Sequence, residues 1–301
     1  MSDEILKINE SAELDSLQII NKLDNEFSVD WGVETINAPK VWNHTKGKGV
    51  KVAVIDSGID SNHPDLADSI KKKKNVYNHM QGTDDAYSHG TMVAGLIVGK
   101  RTGVAPDSEL YIAKVLHDDG LGTYTNILDG ITFAIANKVD ILCMSLGMDS
   151  ELPKIMRDRI QLAYRKGVTI VCAVGNSNVQ KAEYPAFYDN VIAVGGIDKN
   201  LERANFSNYG FEMDVVAPAV DILSTYKDGR YAKSTGTSFA SPLVAGGLAL
   251  VKAYYRDKGI ELTPVEMKSM LKRLSKRADD RKDRYMGYGI MDVAKILELE
   301  N

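Results

Sequence analysis

This chain has few cysteines, no long apolar run and no basic-then-apolar pattern at its start. Only two cysteines occur in 301 residues. Cys143 and Cys172 each sit inside an apolar run, Val139 to Leu146 and Val168 to Val174. They read as buried, reduced thiols of a cytosolic protein, which excludes a disulfide framework. No window approaches the ~18 apolar residues that a membrane span needs. The N-terminus, Met1 to Leu23, carries five acidic residues and no basic start followed by an apolar core, so it is not a secretion signal. A basic surplus is lacking too: the formal net charge is -4, which gives no reason to expect a nucleic-acid partner. The basic run Lys71 to Lys74 reads as a solvated face. Internal repeats, low-complexity linkers and composition breaks are also absent, so one domain spans residues 27–301 after a polar extension, residues 1–26. A hydrophobic content of 44% with 26% charged residues is ordinary for a globular protein with a sizeable core.

The extension has a weak helical pattern at Leu14, Leu17, Ile20 and Leu23 and is expected to be either disordered or laid on the surface. Beyond it, Val50 to Ile55 is a β-branched run of strand length that ends at Asp56-Ser57-Gly58. A polar connection, Asp60 to Ser88, leads to a small-residue helix from Gly90 to Gly99, with His89 at its start. Strands are expected at Leu110 to Leu116, Ile141 to Leu146, Val168 to Val174 and Val191 to Val194. Helices are expected at Thr125 to Asn137, Leu152 to Lys166 and Pro264 to Leu274. Short strands at Asp214 to Ala217 and Ile222 to Ser224 precede a further apolar helix that starts near Ser238. Strands alternating with helices of this length indicate an α/β fold, a mostly parallel sheet covered by helices on both faces.

Three positions in this scheme are candidates to supply an activated nucleophile. Asp56 ends a buried strand, where open α/β sheets place their sites. His89 and Ser238 each begin a helix. A serine hydroxyl is a weak nucleophile near neutral pH and needs an imidazole base, which in turn needs a carboxylate to fix its tautomer. Taken singly, Asp56 and Ser238 read equally well as caps, and His89 as a structural histidine.

Their local contexts resemble the subtilisin-like serine proteases, the subtilases. The matching segments are Val54-Ile55-Asp56-Ser57-Gly58, His89-Gly90-Thr91-Met92-Val93-Ala94-Gly95 and Gly236-Thr237-Ser238-Phe239-Ala240-Ser241-Pro242. Gly103-Val104-Ala105-Pro106, Ser145-Leu146-Gly147 and Ala173-Val174-Gly175-Asn176 match as well, in the family's order. The resemblance implies a three-layer α/β subtilisin-like fold and a catalytic triad of Asp56, His89 and Ser238. It also implies that Asn176 is the oxyanion donor, with Thr237 as its support. Substrate-binding roles fall on Ser145, Leu146 and Gly147, which would pair with the substrate backbone, and on Tyr124 and Ile127, which would shape the pocket four residues before the cut. Glu183 stands where the family places the floor of the primary pocket. An acid there favours Lys, Arg or a long amide such as Gln before the scissile bond; the alternative is a solvated surface charge. Asp118 and Asp119 add acidity nearby.

The departures from the family carry information as well. Met92 replaces the usual second histidine of the His-Gly-Thr motif, and Leu243 replaces another. The segment Gly95 to Gly103 lacks the insert that supplies most ligands of the family's tight calcium site. Asp65 matches one calcium ligand, but alone it cannot offer the six or more oxygens that Ca²⁺ takes. No cofactor is expected; a weak cation site near Ala186 and Tyr188 is left open. The resemblance therefore implies a cytoplasmic serine endopeptidase with a peptide or protein substrate, and first of all one that processes a modified precursor peptide by leader removal, as in lanthipeptide maturation. A general intracellular degradative protease and a catalytically silent peptide-binding relative are the alternatives.

Overall fold

The computed structural model describes residues 5–7, 17–24, 29–78, 80–276 and 281–299. In chain order its elements are β1 (Ile5–Lys7), β2 (Gln18–Ile20), α1 (Trp31–Thr35), β3 (Lys51–Asp56), β4 (Ile70–Asn75), α2 (His89–Val98), β5 (Glu109–Lys114), β6 (Leu121–Thr123), α3 (Tyr124–Ala136), β7 (Ile141–Met144), α4 (Lys154–Arg165), β8 (Thr169–Ala173), β9 (Ile192–Ile197), β10 (Val215–Pro218), β11 (Ile222–Tyr226), β12 (Arg230–Ser234), α5 (Thr237–Arg256), α6 (Pro264–Arg273), β13 (Ser275–Lys276) and β14 (Ile290–Met291). A 3₁₀ turn, Val293–Leu297, follows β14.

Nine strands form the central sheet in the order β13-β14-β10-β9-β8-β7-β3-β5-β4. Every pairing is parallel except that of β13 with β14. The apolar runs that announced the inner strands serve two cores, because successive side chains of a strand point to opposite faces. Val52 and Val54 of β3 join the cluster under α2 and α5, while Ala53 and Ile55 join the cluster under α3 and α4. Cys143 and Cys172 divide in the same way. Both thiols are free and fully buried, and burial pushes Cys143 up to about 12.

The helices follow from their small residues. A Cβ at Gly90 would strike the Gly58 carbonyl, so only glycine lets α2 lie this close to the turn after β3. The run Ile70–Asn75, taken as part of a polar connection, is the edge strand β4. Its four lysines are exposed, which suits a solvated face and also discourages edge-to-edge pairing. The helical pattern in the extension does not form in residues 17–24. Gln18–Ile20 pairs antiparallel with β12, because an open sheet edge offers hydrogen bonds that an isolated short helix cannot match. Leu14 lies outside the described residues.

Candidate active site

The chain leaves β3 for β5 and β4 on one side, then builds β7 to β10 on the other. Order reversal of this kind opens a crevice at the C-terminal ends of the strands. Asp56 closes β3 at that crevice, Ser145 follows β7 and Asn176 follows β8.

His89 is the first residue of α2, and its Nδ1 donates to Asp56 Oδ1 at 2.8 Å. A carboxylate can only accept, so this bond sets the tautomer with the proton on Nδ1. The Ser57 amide donates to the same oxygen at 2.7 Å. Both side chains are buried, Asp56 completely and His89 to all but 4%. The residue before the histidine, Ser88, has φ +77°. Asp85 holds this turn: its Oδ1 accepts from the Ser88 amide and the Ser57 hydroxyl, both at 2.8 Å, and its Oδ2 accepts from the Thr91 amide at 2.7 Å. Ser57 Oγ in turn accepts from the Gly90 amide at 2.9 Å. One buried carboxylate thus ties the strand that carries Asp56 to the helix that carries His89. Sequence reasoning missed Asp85, which lies in a polar stretch and is marked only by its partners Ser57, Ser88 and Thr91.

Ser238 is the second residue of α5, whose first turn leaves its amides without intrahelical acceptors. The Phe239 ring lies 5.9 Å from the His89 ring, so the imidazole borders the start of this helix. Ser238 Oγ donates to the Ser145 carbonyl at 3.3 Å. Pro242 falls in the second turn of α5, which begins at Thr237. It therefore removes the N–H that would have reached the Ser238 carbonyl. Asn176 Oδ1 accepts from the Thr237 amide at 2.9 Å and from Thr237 Oγ1 at 2.8 Å. Two donors on one atom identify it as the amide oxygen and turn the NH₂ away from Thr237.

Next to Ser238 is a cavity of about 10 Å³, lined by Ser145 to Gly147, Ala173, Gly175, Asn176, Glu183 and Thr237. Such a volume admits roughly one water. The Glu183 carboxylate takes up much of the remaining space, since a Cβ at either Gly147 or Gly175 would collide with it. The reciprocal Met148–Tyr184 backbone pair and the bond from the Glu183 amide to the Val174 carbonyl at 2.9 Å hold it there. Glu183 is 5% exposed, so it is not a solvated surface charge. Tyr124 and Ile127 do not line this cavity. They stand at the start of α3, against the same apolar cluster as Leu146. The acidity expected of Asp118 is matched internally, because buried Lys114 Nζ reaches its Oδ1 at 2.9 Å and also donates to the Ser57 carbonyl.

A crevice of this kind suits acyl transfer by a serine nucleophile, and comparison with known proteins narrows the class. The pattern of the Subtilase family matches residues 47–289, and the chain belongs to that family. It is a serine endopeptidase of subtilisin type. Among its relatives, the major intracellular serine protease of Bacillus subtilis (strain 168) is 44% identical over 242 residues, which is 75% of this chain and 76% of the relative. The intracellular serine protease of Paenibacillus polymyxa is 41% identical over 249 residues, 78% and 76% of the two chains. Subtilisin DY of Bacillus licheniformis is 38% identical over 277 residues, 88% of this chain and 97% of the other.

Proposed function

We propose that Asp56, His89 and Ser238 form the catalytic triad of an endopeptidase that works inside the cell and cuts after a basic residue. One observation carries the mechanism: the 2.8 Å bond from His89 Nδ1 to Asp56, with Ser238 at the N-terminus of the helix whose Phe239 ring lies 5.9 Å from that imidazole. Nδ1 is engaged, so proton transfer falls to Nε2. It takes the Ser238 proton as Oγ attacks the peptide carbonyl, and it later delivers that proton to the departing amine. Asn176 Nδ2 and the Ser238 amide hold the oxyanion. Water then hydrolyses the acyl-enzyme by the same path. The intracellular setting rests on the names of two relatives and on the two buried free thiols.

Glu183 supports a narrow specificity. A buried carboxylate between two glycine walls recognises a cation, Lys or Arg, with Gln as the neutral second choice. Replacing Glu183 with Gln keeps the shape and removes the charge. It is expected to lower kcat/KM for Lys and Arg substrates by roughly 1.5–3 kcal/mol, about 10- to 150-fold, with Leu and Phe substrates little changed. A matched set of peptides differing only at the residue before the cut reads this directly; an unaltered preference refutes the assignment. A narrow pocket favours a processing protease over a degradative one, and the Met92 variant of the histidine motif resembles proteases that remove lanthipeptide leaders. Cleavage of leader-bearing precursors beside a random peptide library separates these readings. The names of the relatives say intracellular serine protease and no narrower task; broad cutting independent of Glu183 would establish the second reading, general intracellular proteolysis.

The extension has a place in the same proposal. β1 pairs antiparallel with β6, the strand that leads directly into Tyr124, which is expected to shape the pocket four residues before the cut. The other edge of β6 bridges to Leu116, so residues 5–7 and a substrate backbone compete for one edge. Deleting residues 1–10, which leaves β2 in place, is expected to lower KM for short peptides about 3- to 10-fold with kcat unchanged. Identical kinetics in the truncated enzyme would remove the extension from the account.

A further inference from the structure

Family resemblance places a tight calcium site around Asp65, and the residues present do not fit one. Asp65 is 5% exposed. Its carboxylate already faces a cation that belongs to the chain: Oδ1 lies 3.5 Å from Arg101 Nε, and Oδ2 accepts from the Arg101 amide at 3.3 Å. Among the described residues no group of three or more His, Cys, Asp or Glu side chains is arranged to hold a metal ion.

Arg101 sits in the short turn between α2 and β5, where the family's longer insert would supply calcium ligands. Its guanidinium gathers several separate segments. One nitrogen donates to the Leu23 carbonyl at 3.4 Å, and another donates to the hydroxyl of Tyr231 on β12. The guanidinium carbon stands 4.8 Å from the centre of the Tyr231 ring, a cation–π distance. Tyr231 is 1% exposed, and Leu23 packs on it together with Leu223. His63 completes the cluster. Its Nδ1 accepts from the Asp65 amide at 3.1 Å, and its Nε2 donates to the Arg230 carbonyl at 2.8 Å, which corresponds to the neutral tautomer.

We infer that Arg101 is a covalently carried substitute for the calcium ion, fastening the segment of residues 17–24 to the protease domain without any metal. A planar guanidinium has the donors to bind a carboxylate, a carbonyl and a phenol at once. Calcium would instead need oxygens that this turn does not supply. The fold is therefore independent of calcium supply, and the latch holds the segment that leads from β1 to the domain.

The test uses the full chain with Ser238→Ala, so that self-digestion does not intervene. A ligand that binds only the native state raises the melting temperature by mass action. The parent is expected to melt within about 1 °C of the same temperature in excess Ca²⁺ and in excess chelator. Arg101→Gln is expected to lower that temperature by roughly 4–10 °C and to speed amide exchange of residues 18–20 at least ~10-fold, with β3 unaffected. Arg101→Lys, which keeps the charge and loses the fork, should fall between the two. A chelator-induced drop in the parent that calcium restores would overturn the inference. So would an Arg101→Gln protein whose melting temperature and β2 exchange match the parent's.

Discussion

Replacing Ser238 with alanine is expected to reduce kcat by about a millionfold, the size of loss known for a subtilisin stripped of its serine. The expectation rests on how little else this hydroxyl does. Among the described residues, Ser238 Oγ donates to the Ser145 carbonyl at 3.3 Å. Alanine suits a helix at least as well as serine, so the variant should fold and melt like the parent. His89→Ala should be equally inactive. The double variant should be no worse than either single one, because residues that act as one unit lose their contribution together. Progress curves on a fluorogenic peptide, read beside melting curves, check all three. A Ser238→Ala protein with substantial residual turnover would refute the mechanism.

Asn176→Ala should produce the second largest effect, a 10²–10³-fold fall in kcat, about 2.7–4 kcal/mol, with KM nearly constant. That magnitude comes from the equivalent removal in a subtilisin and is carried over. The reason for a kcat effect lies in the geometry. Thr237 holds Asn176 Oδ1 with both its amide and its hydroxyl, so the NH₂ is fixed before substrate arrives. A donor aimed at charge that develops only in the transition state contributes little to ground-state binding. Thr237→Val removes one of the two anchors and should give a smaller loss in kcat of the same kind. Steady-state kinetics on one peptide separates the cases: a rise in KM at unchanged kcat for Asn176→Ala would make it a substrate-binding residue instead.

The layered α/β architecture was legible because its inner strands are buried on both faces and read as unbroken apolar runs. The positions of Asp56, His89 and Ser238 were legible because each one ends or begins such an element. Residues whose role depends on a distant partner were not. β4 looks like a charge run, since an edge strand with lysines on its exposed positions has no apolar alternation to betray it. β2 borrows its conformation from β12, more than 200 residues away. Asp85 is one polar residue in a polar stretch until Ser57, Ser88 and Thr91 are seen to share it. Arg101 finds Leu23 at a separation of 78 residues and Tyr231 at 130. No local pattern encodes either contact. Glu183 stands between these extremes. Its motif was visible, but whether its carboxylate turned into the pocket depended on how the loop from Ser177 to Ala182 closed. The backbone pair between Met148 and Tyr184 settles that register.

The central claim is that Ser238 is a nucleophile activated by His89, and covalent labelling tests it most directly. Intact protein treated with a fluorophosphonate and analysed by peptide mass spectrometry should carry one adduct, on Ser238. Labelling should be lost in Ser238→Ala and greatly slowed in His89→Ala. An adduct on another residue, or labelling of Ser238 at an undiminished rate without His89, would contradict the account.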